Sequence, residues 1–267
     1  MPATTNGTVP TDLELIIEQG ELRTLLEVFA IRRWRHSDKF EEVRLALRTQ
    51  SKRLLTCARH GDYELFYAMD YEFHRNLVEA AGIPCLVRSW EVVVSELKTW
   101  MKQSHKECWP NLMSLYQEHE FLIDAITADD DHVAEDGCRH HIEAGWYRIA
   151  AMEGKSQYLR DPVERAVAFI STHYGSRVKV DWVATNVSYI SPSHMTRLFR
   201  EKLGIAPHAF LRRTRLEQAA HLLCGNDDSV KTIAIRVGYR NVSHFVRDFR
   251  SMYGVPPLAY RRAKATG

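Results

Sequence analysis

Between residues 187 and 260 the sequence is written twice, fifty positions apart, and few folds accommodate that. Val187-Ser188-Tyr189 returns as Val237-Gly238-Tyr239, and Ser193-His194-Met195 as Ser243-His244-Phe245. Arg197, Phe199, Arg200, Gly204 and Pro207 return as Arg247, Phe249, Arg250, Gly254 and Pro257. Ala184 pairs with Ala234, and Phe210 with Tyr260, at the same offset. A constant offset over so many positions marks a duplicated structural unit. Two copies are too few for a solenoid, and each copy reads as two helices, so the stretch is a tandem helix-turn-helix.

One copy shows the physics. Val180, Val183, Ala184 and Val187 place apolar side chains on one face of a short helix, and Ser188-Tyr189-Ile190 form the turn. Ser191 suits a helix cap and Pro192 the first helical position. Met195, Leu198, Phe199 and Leu203 form the buried face of the next helix, which Gly204 ends. Its outward face carries Ser193, Thr196, Arg197 and Arg200, short polar groups and guanidiniums that suit base edges and phosphates. In the second copy Asn241 is the cap and Val242, Ser243, Val246, Arg247 and Arg250 face outward. Gly238 sits where the turn needs a positive φ; Ser188 takes that place in the first copy, which predicts strain there. Charge agrees with a nucleic-acid partner. Residues 161–267 hold 17 Lys/Arg against 8 Asp/Glu, a balance of +9. Residues 1–160 hold 19 against 26, a balance of −7, and together these give the +2 of the chain. Such asymmetry is expected where one half meets a polyphosphate and the other does not.

With these residues in place, the region 162–264 resembles the DNA-binding domain of the AraC/XylS family of bacterial transcription regulators. The second copy carries the likeness most closely: Ile233-Ala234, Val237-Gly238-Tyr239, Ser243-His244-Phe245, Arg247-Asp248-Phe249-Arg250, Gly254-Val255-Pro256-Pro257 and Tyr260-Arg261. The resemblance implies seven helices, with a central one over Pro207–Leu223 burying Leu211, Leu216, Ala219, Ala220 and Leu223. It also implies that both recognition helices enter successive major-groove turns of double-stranded DNA. The first turn, Val187 to Ser191, reads as one residue longer than the family usually carries.

The first 160 residues have a different character. Residues 1–12 are polar, without a basic-then-apolar signal pattern, and read as a disordered tail. From Leu13 to Glu153 strand-like alternation is absent, and apolar residues recur at helical spacing. The stripe Leu22, Leu25, Leu26, Phe29 belongs to a first helix. Val43, Leu45, Leu47, Leu54 and Leu55 mark a second, and Leu65, Tyr67, Phe73, Leu77 and Ala80 a third. Leu86–Met101, Asn111–Thr127 and His132–Met152 complete an antiparallel bundle, so the fold class is all-α. Gly154-Lys155-Ser156-Gln157 opens a short joint over 154–161. No apolar run reaches the roughly 18 residues of a membrane span. Five scattered cysteines, never close-paired, read as reduced buried thiols of a cytoplasmic protein.

Asp70 and His74 lie four apart, on one face of the third helix. His119 and His141 fall on the fifth and sixth helices, and three helices of a bundle can converge such groups on a divalent metal. Zinc is placed ahead of nickel, manganese or iron. Residues 20–150 also resemble the FCD domain, the effector-binding bundle of the FadR subgroup of GntR-family regulators. The matching pieces are Arg23-Thr24-Leu25-Leu26-Glu27, Gly61-Asp62, Asp70-x-x-Phe73-His74-x-x-Leu77, Glu79-Ala80-Ala81-Gly82, Glu118-His119 with Leu122-Ile123, Ala125-Ile126, and His140-His141-Ile142. The resemblance places the family's metal ligands on Asp70, His74, His119 and His141. It points Arg23 toward the cavity, where it could pair with an effector carboxylate; the competing reading is a surface pair of Arg23 with Glu27. It also implies a homodimer. In that family a winged helix-turn-helix precedes the bundle, whereas here the DNA reader follows it. The expected function is a transcription regulator, not an enzyme, that senses a small organic acid. A metal-dependent hydrolase joined to a DNA reader, or a bundle that serves only dimerisation, is the alternative.

Overall fold

The computed structural model describes residues 13–109 and 111–265; the tail expected at residues 1–12 lies outside them. The described residues form α-helices and one short 3-10 turn, with no strand among them. No helix among them is long and apolar enough to cross a membrane. The chain divides into two compact units, residues 1–159 and residues 160–267.

The first unit contains α1 (Leu13–Arg35), α2 (Phe40–His60), α3 (Tyr63–Glu79), α4 (Pro84–Cys108), α5 (Leu112–Ile126) and α6 (Asp131–Met152). The helices start where the sequence supplies caps. Asp62, Asn111 and Asp130 accept backbone N–H bonds from the first turns of α3, α5 and α6, and Pro84 opens α4. α1 packs against α3, α4 and α6; α5 lies between α2 and α6. Trp34, Trp90, Phe66, Phe73, Leu77, Leu122 and Ile126 fill the centre. α1 and α6 touch closely at Gly20, where a Cβ would lie 2.3 Å from the Trp146 ring.

Several expected core positions are not core. Leu22, Leu25 and Phe29 are exposed, and so are Leu45 and Leu65. The inward face of α1 is instead Ile16, Gly20, Arg23, Thr24, Glu27, Val28, Ala30, Ile31 and Trp34. Two of these are ionised and buried, which hydropathy alone does not anticipate. The joint is also more structured than a spacer. Gly154 turns the chain at φ +67, Ser156–Tyr158 form a 3-10 turn, and Tyr158 and Leu159 pack on the bundle core. Cys57, Cys108 and Cys138 are buried as expected, but Cys85 and Cys224 are exposed.

The second unit has seven helices: α7 (Pro162–His173), α8 (Val180–Asn186), α9 (Pro192–Leu203), α10 (Pro207–Gly225), α11 (Val230–Arg236), α12 (Val242–Tyr253) and α13 (Pro257–Ala265). The central helix α10 contacts α7, α9, α11, α12 and α13. Leu211, Leu216, Ala219, Ala220 and Leu223 are its buried stripe. Met195 and Phe199 bury α9, and Phe245 and Phe249 bury α12. Leu203, expected inside, is exposed.

Candidate functional site

The four positions expected to hold a metal come close together. Asp70 and His74 on α3, His119 on α5 and His141 on α6 come together beside α1, whose inward face supplies the supporting charges. One ring nitrogen from each of the three histidines lies within 4.8 Å of the others. His74 Nε2 is 3.2 Å from His141 Nε2, while Asp70 Oδ1 is 2.7 Å from His119 Nε2 and 3.9 Å from His74 Nε2. Asp70 and His140 both lie outside this group of three, Asp70 beside it.

The far side of the rings decides what the near side can do. His74 Nδ1 meets Glu27 Oε2 at 2.8 Å, and His119 Nδ1 meets the Leu115 carbonyl at 2.9 Å. An ionised carboxylate and a carbonyl only accept, so each Nδ1 carries the proton. That leaves the inward Nε2 of His74 with a lone pair, the arrangement metal-binding histidines need. Burial opposes the Glu27 charge, but Arg23 and His74 overcome it and hold the carboxyl at about 2. Burial holds His74 below the usual histidine range, and burial with the neighbouring rings holds His141 far below it. Burial also resists charge on His119, yet the Asp70 hydrogen bond and charge raise it. Both nitrogens of His119 face oxygens, which a doubly protonated ring, a proton held on Asp70, or a cation shared with Asp70 each satisfies. Three imidazoles and a carboxylate fit a divalent ion of the zinc, nickel or iron(II) type.

Around this cluster lies a cavity of about 50 Å³, lined by Arg23, Asp70, His74, Glu118, His141 and by Trp100, Met101, Ser104 and Trp146, among others. Arg23 combines parts of both expectations, since it lines the cavity and also pairs with Glu27. It does pair with Glu27, Nε to Oε1 at 2.6 Å, but the pair is buried rather than on the surface, and the guanidinium lines the cavity. A second buried pair was missed in the sequence. Arg148 donates to Glu118 at 2.8 Å, Trp109 Nε1 donates to the same oxygen at 3.2 Å, and the guanidinium lies over the Trp109 ring. Glu118 adjoins the predicted ligand His119, and Arg148 is seven residues beyond His141 on α6; that placement was the available signal.

The other site is the pair of helices α9 and α12. Residues 191–200 and 241–250 show the same sequence of exposed, half-buried and buried positions without exception. Ser191 and Asn241 each cap their helix through the N–H three residues on, His194 and His244. Ser193, Arg197 and Arg200 are exposed and Thr196 is half-buried, bonding its hydroxyl to the Pro192 carbonyl. Arg197 reaches Glu201 at 2.8 Å, and Arg247 reaches Asp248 at 3.2 Å. In the second copy Val242, Ser243, Val246, Arg247 and Arg250 line one open groove, together with Ser251 and Gly254.

The turns before these helices correct one expectation. Both connections span five residues, 187–191 and 237–241. The left-handed residue of the first turn is Tyr189 (φ 54) rather than Ser188, one position later than Gly238 (φ 88). The closing bond shifts too: Ile190 N–H donates to the Ala184 carbonyl, where Tyr239 N–H donates to Ala234. Left-handed backbone costs a non-glycine residue about 1–2 kcal/mol, and α7 holds it in place. Arg165 donates to the Ser188 carbonyl at 2.7 Å and lies over the Tyr189 ring, and Ser188 Oγ donates to the Pro162 carbonyl at 2.8 Å. Arg215, fifty positions on, lies over the Tyr239 ring, and a Cβ on Gly238 would come within 2.8 Å of its guanidinium. The repeat thus includes Arg165 and Arg215, which the same offset would have found.

Residues 18–144 match the family model of the FCD domain, and residues 185–263 that of a helix-turn-helix domain. The chain is similar to the probable D-xylose utilization operon transcriptional repressor of Paenarthrobacter nicotinovorans, 31% identical over 87 residues, 33% of this chain and 38% of that protein. It is also similar to the lactose operon transcription activator of Staphylococcus xylosus, 35% identical over 65 residues, 24% of this chain and 23% of that protein. Each match thus spans well under half of the relative's own length. Among solved structures, the DNA-binding domain of the global transcriptional factor AdpA, in complex with a target DNA, is 34% identical, covering 40% of this chain and 96% of that one, with a TM-score of 0.39.

Proposed function

From an FCD domain and an AraC-type helix-turn-helix domain joined in one chain, we propose a ligand-responsive transcription regulator that reads double-stranded DNA through α9 and α12. The observation that carries this reading is the repeated exposure pattern of those two helices. Ser193, Thr196, Arg197, Val242, Ser243, Val246 and Arg247 are the base-reading groups. Arginine suits guanine and valine the thymine methyl. Arg200 and Arg250 hold phosphate. Selection from a pool of random duplexes should return a bipartite site whose halves lie about 10 base pairs apart. A pool that enriches no sequence overturns the reading.

In the first unit, Asp70, His74, His119 and His141 are the ligands of a divalent metal, zinc ahead of nickel, manganese or iron. When bound, the ion supplies open coordination positions and positive charge to the cavity. The cavity's own groups and their ion-pair partners are Arg23 and Arg148 against Glu27, Asp70 and Glu118, one negative charge in surplus. A divalent ion turns that into one positive charge, which a small monocarboxylate neutralises. Arg23 and Ser104 line its route. One water needs roughly 10–15 Å³ of such space, so the cavity of about 50 Å³ takes a few waters or the carboxylate of a small acid, bounded by Trp100, Met101 and Trp146. Ligand binding then favours one packing of α1, α4 and α6 over another, which is how an effector biases a two-state protein. The regulator acts as a homodimer.

A further inference from the structure

Two recognition helices that share one duplex must keep a fixed distance and a fixed rotation about its axis. The central helix α10 supplies the distance, because the chain runs through it from one copy to the next. A single connecting rod still leaves the copies free to pivot at its ends. α7 is a second rod. It has 12 residues, about 18 Å at the helical rise, and its two ends are fastened to different copies.

At its start, Asp161 caps α7 through the N–H groups of Val163 and Glu164 and also takes the ammonium of Lys202, from the last turn of α9. The Pro162 carbonyl accepts from Ser188 Oγ, and Arg165 donates to the Ser188 carbonyl with its guanidinium 5.0 Å from the centre of the Tyr189 ring. All of these bonds close on the first turn or on α9. At the other end, Tyr174 and Gly175 run against the second turn. A Cβ on Gly175 would stand 2.8 Å from the Arg236 carbonyl, and one on Gly238 would stand 2.8 Å from the Tyr174 carbonyl. Arg215 clasps the same segment, donating to the Tyr174 carbonyl at 2.8 Å and to the Ser176 carbonyl at 3.1 Å while it lies over the Tyr239 ring. The Tyr174 side chain packs on the core to which Phe245 and Phe249 of α12 belong. Close-packed contacts of this kind transmit strain and leave little room to slide.

We propose that α7 is the strut that fixes the spacing at which the two half-sites are read, with Arg165, Gly175 and Arg215 as its positioning residues. Arg165 is buried, so it acts on DNA through α9. This role rests on α9 and α12 being the DNA-reading helices, and it adds a selectivity that neither helix has alone, for spacing rather than for base sequence. One base pair inserted between the halves turns one of them by about 35° and shifts it by about 3.4 Å. Braced helices cannot follow both changes, and contacts in one half are lost. With the brace released at either end, the helices pivot with the duplex.

Fluorescence anisotropy of the full chain tests this on the bipartite duplex recovered by selection, and on the same duplex with one base pair added or removed between the halves. The wild type should lose about 10-fold or more in affinity at either altered spacing, the scale of one lost base contact. Arg165→Met and Gly175→Ala should each shrink that penalty below about 3-fold. Arg165→Lys, which keeps a donor for the Ser188 carbonyl, should restore most of it. A brace that merely stabilised the fold would lower the melting temperature and weaken all three duplexes alike. An unchanged ratio among the three in both variants therefore overturns the proposal, as does a wild type that binds every spacing equally. Selection that returns no bipartite site ends the regulator reading itself, whereas a bipartite site with an unmoved spacing penalty removes the strut alone.

Discussion

Arg23 and Glu27 show how much a single residue's setting matters. The sequence presents them as an ordinary i, i+4 pair, and such pairs at the surface contribute under about 1 kcal/mol. Here both are buried, Glu27 also takes the Trp90 indole N–H at 2.9 Å, and it orients His74. Removing one partner of a buried pair leaves an uncompensated charge, which costs about 3–5 kcal/mol. Arg23→Met should therefore lower unfolding stability by that order in urea titration. A loss below about 1 kcal/mol would show that the pair is solvated. At the ligands, the double variant His119→Ala/His141→Ala should carry no divalent metal by elemental analysis, while the wild type carries one ion per chain. Full metal content in the double variant removes the centre as drawn. Glu27→Gln keeps an acceptor for His74 but weakens it, and such supporting changes typically lower metal affinity 10–100-fold. Competition with a chelating dye reads that change.

Among the elements, what was legible followed the local physics. Caps, prolines and terminal glycines announced α9 and α12 and their boundaries, because those signals act within a few residues. The duplication announced the recognition faces, because exposure repeats with the sequence. Less legible was α1, where both faces offer apolar side chains and the periodicity marks the wrong one. Burial there is decided by ion pairs with distant residues, which no window of a helix contains. The left-handed Tyr189 was hidden for a similar reason, since its support comes from Arg165 on another helix. Gly238 makes the opposite case. Its φ of 88 and its contact with the Tyr174 carbonyl leave no room for a side chain. Gly238→Ala should destabilise the protein by more than about 1 kcal/mol, read as a lowered thermal midpoint; an unchanged midpoint would mean that the turn can rearrange. On the helices, Arg197→Ala and Arg247→Ala should each weaken operator binding by about 1–3 kcal/mol and relax preference at one base position. Unchanged affinity and preference in both would show that these arginines do not read bases.

Across the molecule, the charge asymmetry follows the division into two units. A basic unit with repeated helices suits DNA, and an acidic bundle with converging imidazoles suits a cation and its ligand. Neither task requires the other, and the regulator reading depends on their being linked. A carboxylate effector can be found by the rise in melting temperature it produces in the metal-loaded protein, since any ligand of the native state stabilises by mass action. Linkage then has a direct measure, the dissociation constant of the full chain for its selected operator, by fluorescence anisotropy, with and without that carboxylate. The account predicts a change of roughly 5-fold or more, the range of ordinary allosteric coupling, and its loss in His119→Ala/His141→Ala. Equal operator affinity with and without the effector in the metal-loaded wild type would contradict it.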